Sequence, residues 1–256
     1  MPAKTRGVEL VPRPMNLTFH KLPPSHPCMT VEAALRHKGL EFETVTLQPG
    51  LHNAEMEKIY GEGRTTVPGL LVDDEPVHGS VAILAKLEEI APDPPLYPEP
   101  IAAEVREAEL WGDRELQDLG RRLTFGALHF RPETFGTFGG VEGELDPPGT
   151  DFAMKYIRQS WRYHGITAER LAEDLRGLPE KVAQIETFAA DGIVAGETPT
   201  AADFQIGATI RVLLTIGDLD SFLVGTAGES IARRLFPEYP GRVPTGAYPA
   251  SWTVSS

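Results

Sequence analysis

The apolar positions follow two different rhythms along the chain. In the first third, short β-type runs alternate with helical stripes. Leu17-Thr18-Phe19-His20 predicts a short strand, and residues 28–38 predict a helix with Val31, Ala34 and Leu35 on one face and Gly39 as its stop. Glu41 to Leu47 is rich in β-formers. Pro68 to Val72, a turn over 73–76 and Val77-His78 then predict strand, turn, strand. From Ser80 a helix is expected, with Ile83, Leu84, Leu87 and Ile90 at the 3/4 spacing. The expected order is βαβ-ββα, a small α/β sandwich. Beyond residue 100 the rhythm is helical throughout. One stripe is Leu116, Leu119 and Leu123, and another is Met154, Ile157 and Trp161. A third runs from Leu171 to Phe188, with Pro179 as an expected local break. Thr200-Ala201-Ala202-Asp203 predicts a capped start to a last long helix.

Proline and glycine set the boundaries. Residues 91–100 hold five prolines, which neither a helix interior nor a central strand tolerates, so 92–100 reads as a linker. It separates a unit at 15–91 from one at 101–240, and 241–256 is expected to be an extended tail. Residues 131–150, with five glycines and three prolines, read as a mobile insertion without an element of its own.

Composition narrows the function classes. The 256 residues are 41% hydrophobic and 24% charged, so a sizeable core can form. The net charge of −13 has the wrong sign for neutralising phosphates or meeting an anionic membrane. No nucleic-acid or membrane partner is therefore expected. A single cysteine excludes an intramolecular disulfide and a CxxC pair. The seven histidines show no i, i+4 ligand pair, so no metal is expected. Met1 to Pro14 lacks an apolar signal-peptide core, and a cytoplasmic location is the resulting expectation.

Three loops hold the candidate chemistry. Ser25-His26-Pro27-Cys28 lies between the first strand and the first helix, where open α/β sheets bind ligands. A thiolate at that helix N-terminus would have its pKa lowered, whether it belonged to Cys28 or to a bound small thiol. Ser25 could equally be a simple cap, and Cys28 a small buried hydrophobe. Thr66-Val67-Pro68 precedes a strand; a cis bond there would free the Val67 backbone to pair with an extended ligand. Ser80 opens a helix and can cap it or bind a carboxylate.

Read together, these segments resemble the glutathione S-transferase superfamily. The resemblance runs through "HPCMTVEAALRHKGLEFETVTLQPG", "TTVPGLLVDDEPVHGSVAILAKLEE" and "DGIVAGETPTAADFQIGA", and covers about residues 16–236. It implies an α/β plus all-α fold: a thioredoxin-like N-terminal domain followed by a helical-bundle C-terminal domain. It implies glutathione as co-substrate, an electrophile as its partner in reaction, and a homodimer active in detoxification. Ser25 falls at the position of the catalytic serine or cysteine, and Cys28 at the second position of a glutaredoxin-type CxxC. Val67 and Pro68 match the pair that binds the cysteinyl backbone of glutathione, and Ser80 the serine that binds its γ-glutamyl carboxylate. His52 lies where some members place a basic contact. Trp111, Phe125 and His129 are the candidate lining of the electrophile pocket.

The implied activity is activation of a small thiol as thiolate for attack on an electrophile. Two alternatives stand beside it: thiol–disulfide exchange through Cys28, and a non-catalytic binding protein. Gly79 and Thr66 favour the last, because the family commonly has an acidic residue or Gln before the binding serine and a basic one before Val–Pro.

Overall fold

The computed structural model describes residues 15–23, 25–139 and 141–253; the Met1–Pro14 segment considered above lies outside them. The first unit runs β1 (Leu17–Lys21), α1 (His26–His37), β2 (Glu43–Thr46), α2 (His52–Tyr60), β3 (Gly69–Val72), β4 (Glu75–His78) and α3 (Ser80–Ile90). Its sheet has the order β2-β1-β3-β4, with β1 parallel to β2 and the other two pairings antiparallel. The expected order holds, with one addition and one trim. Helix α2 was not anticipated: Met56 and Tyr60 alone are fully buried in it, too few to make a stripe. The hairpin turn is only Asp73-Asp74, with Asp73 at φ 55°, so β4 begins at Glu75 rather than Val77. Pro76 is tolerated because β4 is an edge strand.

The second unit is helical: α4 (Ala102–Trp111), a π-helical turn (Gly112–Leu116), α5 (Gln117–Phe130), a 3₁₀ segment (Pro132–Gly139), α6 (Pro147–Tyr163), α7 (Ala168–Ala190), α8 (Ala201–Leu213), a short 3₁₀ turn (Gly217–Leu219), α9 (Asp220–Leu223), α10 (Ala227–Leu235) and α11 (Ala250–Thr253). Every residue of α8 is buried, and its start carries the anticipated capping box. The Asp203 carboxylate accepts from Thr200 N at 2.8 Å and from Ala195 N at 2.7 Å. The unit packs on the first through α8, where Thr30 Oγ1 donates to the Phe204 carbonyl at 3.3 Å.

Three expectations are corrected. Residues 131–150 are not an insertion without an element: they hold the 3₁₀ segment and the first turn of α6. The segment is fixed by packing, with Phe135 on Tyr156, Phe138 on Tyr239, and Leu145 N donating to Glu133 O at 2.8 Å. Pro179 does not break α7, which runs unbroken from 168 to 190. Leu175, Leu178 and Ile185 bury its inner face on both sides of the proline, outweighing the lost hydrogen bond. The tail is extended as far as 249 and then forms the single turn of α11, where Trp252 meets Phe130.

The 92–100 segment is an anchored connection rather than a free tether. The buried Lys38 ammonium donates to Glu88 at 2.6 Å and to the Pro94 carbonyl at 2.9 Å, and Leu96 is fully buried. Tyr97 donates to the buried Glu109 carboxylate at 2.9 Å, with the Arg106 guanidinium over its ring.

Candidate active site

Strand register brings the three loops to one edge. The last residues of β1 and β4 both pair with the start of β3, since His20 and His78 flank Gly69. The loops carrying Ser25, Val67–Pro68 and Ser80 therefore leave the sheet at the same end. Tyr60 holds this edge from α2: its hydroxyl lies 2.7 Å from His20 Nδ1, and its ring covers Gly69, where no side chain would fit.

Ser25 is the N-cap residue of α1, in extended conformation at φ −68°, ψ 117°, and its backbone N–H donates to Leu22 O at 3.0 Å. Its hydroxyl makes no capping bond to the helix. It is half-buried, within reach of the Cys28 thiol. Cys28 itself faces inward at 2% exposure. Burial pushes that thiol up to about 11, and the Ser25 hydroxyl only partly offsets the effect. The two candidate nucleophilic positions are thus neighbours in very different surroundings.

The Val67–Pro68 bond is cis. Its loop is tied down on both sides: Asn53 Nδ2 donates to Thr65 O at 2.9 Å, and His78 Nε2 donates to Thr66 O at 2.8 Å. The Pro68 carbonyl accepts from Gly79 N at 3.0 Å. Between these ties, the N–H and C=O of the half-buried Val67 have no backbone partner among the described residues. Asn53 carried no signal in the sequence, because its contact with Thr65 depends on how α2 docks.

Ser80 is the first residue of α3, 4% exposed, and its hydroxyl makes no hydrogen bond among the described residues. It opens onto a groove of about 660 Å³ between α3 and α4. Gly79 sits before it at φ 90°, a conformation that disfavours the acidic residue common there in the resembled family. His52 begins α2 with Nδ1 unpartnered, and burial pulls its pKa down. At neutral pH it can offer a ligand a hydrogen bond but not a positive charge.

The three residues suggested for the electrophile pocket do not form one cluster. His129 lies against Trp161 with ring centres 4.1 Å apart, and Phe125 touches Tyr156 and stacks on His164. Trp161, expected to be core, ties this group together by donating from Nε1 to the Phe125 carbonyl at 2.9 Å. Trp111 instead meets Phe188 of α7 and lines a separate groove on α4 with Leu110 and Arg114. Behind the Ser25 loop, α1 packs on α8, and the buried His26 turns its Nε2 toward Gly120 of α5.

No three His, Cys, Asp or Glu side chains form a metal-binding group among the described residues, and no helix there is long and apolar enough to cross a membrane.

A thioredoxin-like domain of this topology, followed by an all-helical domain docked through one buried helix, is the glutathione S-transferase fold. Residues 19–95 match the family model "Glutathione S-transferase, N-terminal domain". A β-etherase, LigF from Sphingobium sp. strain SYK-6, superposes with a TM-score of 0.61 at 21% identity, over 85% of this chain and 93% of that one. An epsilon-class glutathione S-transferase from the housefly, Musca domestica, gives 0.59 at 20% identity, over 86% and 87%. A glutathione S-transferase from Ceriporiopsis subvermispora, solved in complex with glutathione, gives 0.59 at 16%, over 86% and 96%. No curated protein matches the chain. The first unit thus matches the glutathione S-transferase N-terminal domain, and the chain as a whole has the glutathione S-transferase fold.

Proposed function

We propose that this protein binds glutathione, or a closely similar thiol, along Ser25, Val67–Pro68 and Ser80, and activates it for attack on an electrophile. The observation that carries the reading is the Val67 backbone, unpaired among the described residues, between a serine that does not cap its helix and a buried serine without a partner there. An extended peptide thiol would pair its cysteinyl N–H and C=O with Val67 as an added edge strand. Its γ-glutamyl carboxylate would meet Ser80 at the N-terminus of α3, and its sulfur would reach Ser25 at the N-terminus of α1.

A free thiol near pKa ~8.5 is mostly protonated at neutral pH. The Ser25 hydroxyl, donating to the sulfur, and the partial positive charge of the α1 N-terminus both stabilise its thiolate. Each unit of pKa lowering corresponds to ~1.4 kcal/mol. The thiolate then forms a carbon–sulfur bond as the leaving group departs with its electron pair. Holding both reactants side by side supplies much of the remaining acceleration. The aromatic group around Phe125, His129 and Trp161 offers the electrophile an apolar face. Exchange through Cys28 is disfavoured, because a thiol pushed up to about 11 is almost wholly protonated. The proposal includes a cytoplasmic homodimer.

Calorimetric titration with reduced glutathione tests the reading. A one-site isotherm in the micromolar to low-millimolar range is expected. Absence of heat at several millimolar, with folded protein, would sink it in favour of a non-catalytic binding protein.

A further inference from the structure

We infer that Asn53 and His78 are positioning residues for thiol affinity: they clamp the loop before β3 so that the Val67 carbonyl, alone among its neighbours, is presented to a ligand. The inference rests on the proposed function, in which that ligand is an extended peptide thiol.

The chain from Gly61 to Pro68 joins α2 to β3 without a regular element of its own. Gly61 and Gly63 sit at φ 100° and 77°, so Thr65 is reached through two residues of wide backbone freedom. Four successive carbonyls follow, those of Thr65, Thr66, Val67 and Pro68. Three of them are held, each from a different place. Asn53 Nδ2 of α2 donates to Thr65 O at 2.9 Å, and His78 Nε2 of β4 donates to Thr66 O at 2.8 Å. Gly79 N donates to Pro68 O at 3.0 Å, continuing the sheet. The Val67 carbonyl is the one left without a partner among the described residues, and the Val67 N–H is free there too.

Both side-chain ties rest on firm supports. Asn53 and Tyr60 stand seven residues apart on α2, close to one face of the helix. The Tyr60 ring fills the space over Gly69, the residue that β3 pairs with His78. Its centre lies 5.9 Å from the His78 ring, and its hydroxyl lies 2.7 Å from His20 Nδ1 of β1. His78 is therefore packed on one side while its Nε2 meets the loop. Thr66 is exposed, so without His78 its carbonyl would bond to water equally well in many loop conformations. Ordering the loop in advance removes that cost from ligand binding. Neither Asn53 nor His78 makes a hydrogen bond to Ser25 among the described residues, so both should set affinity and leave the chemistry alone.

The test measures binding of reduced glutathione and of S-methylglutathione, which has no free thiol, by calorimetry well below the melting point of each variant. Turnover of chlorodinitrobenzene at saturating glutathione is followed alongside. His78→Leu and Asn53→Ala should each weaken both peptides about fivefold, the scale of one hydrogen bond, with turnover at saturation within about twofold of wild type. His78→Gln keeps an N–H donor and should bind both peptides almost as wild type does. Wild-type affinity in either His78→Leu or Asn53→Ala overturns the inference and leaves the thiol reading standing. Turnover at saturation that falls as far as affinity, or His78→Gln as weak as His78→Leu, also overturns it. Wild-type protein that binds neither peptide overturns the thiol reading and the inference with it.

Discussion

The Ser25 hydroxyl lies within reach of the Cys28 thiol one turn into α1, yet Ser25 is half-buried while Cys28 is 2% exposed. The chain turns into the helix at Ser25, and Cys28 then points into the core beneath it.

That relationship predicts a clean separation of roles. Ser25→Ala should lower conjugation by two to three orders of magnitude, whereas Cys28→Ala should keep most of it at a modest stability cost. With its thiol pushed up to about 11, Cys28 holds only about one thiolate in ten thousand at pH 7. Iodoacetamide should therefore modify native Cys28 far more slowly than unfolded Cys28. Rapid alkylation of the folded protein would reopen the exchange mechanism.

Gly69→Ala should destabilise the protein by roughly 1–3 kcal/mol, the usual cost of overpacking. A Cβ at this position would fall 2.3 Å from Tyr60 Cζ. Because Tyr60 also holds His20, the displaced ring should disturb the edge that carries Val67 and weaken thiol binding. Urea denaturation reads the first effect and titration the second; an unchanged denaturation midpoint would contradict the packing.

A half-buried histidine and a buried glutamate should tilt stability in opposite directions with pH. Burial, reinforced by Arg121, pulls His164 from 6.5 down to about 4. The unfolded chain takes up the proton first, so this stabilisation is complete above 6.5 and is lost as pH falls toward 4. Burial raises Glu109 from 4.5 to about 7 against the pull of Tyr97 and Arg106. Its contribution is complete below 4.5 and is lost as pH rises through 7. Melting curves from pH 4 to 8 should show His164→Asn reducing the loss on the acid side, and Glu109→Gln reducing the loss on the alkaline side. Parallel profiles for wild type and both variants would refute these assignments.

Asp203→Ala should cost more than Thr200→Ala. The threonine is a helix cap worth about 1 kcal/mol. The fully buried aspartate satisfies two backbone N–H groups, and its loss leaves both unpaired at roughly 1–3 kcal/mol each. Chemical denaturation of the two variants checks the order.

The sequence determined what depends on neighbours along the chain. Hydrophobic period separated the α/β unit from the helical one, prolines marked the join, and Thr200 and Asp203 announced their capping box three residues apart. The three loops with Ser25, Val67–Pro68 and Ser80 were also legible, because strand–loop–helix order alone sends them toward one sheet edge. Contacts between distant segments were decided only by the tertiary structure. Helix α2 forms around two buried residues and supplies Asn53 and Tyr60, neither of which has a local signature. The glycines and prolines of 131–150 suggested mobility, but Phe135 and Phe138 find partners more than twenty positions away. Trp111 parts from Phe125 and His129 because it packs on Phe188 of α7 while they pack on Tyr156 and Trp161 of α6. A residue's partners across a groove depend on how helices dock. Docking is the sum of many weak packing contacts that no short segment encodes.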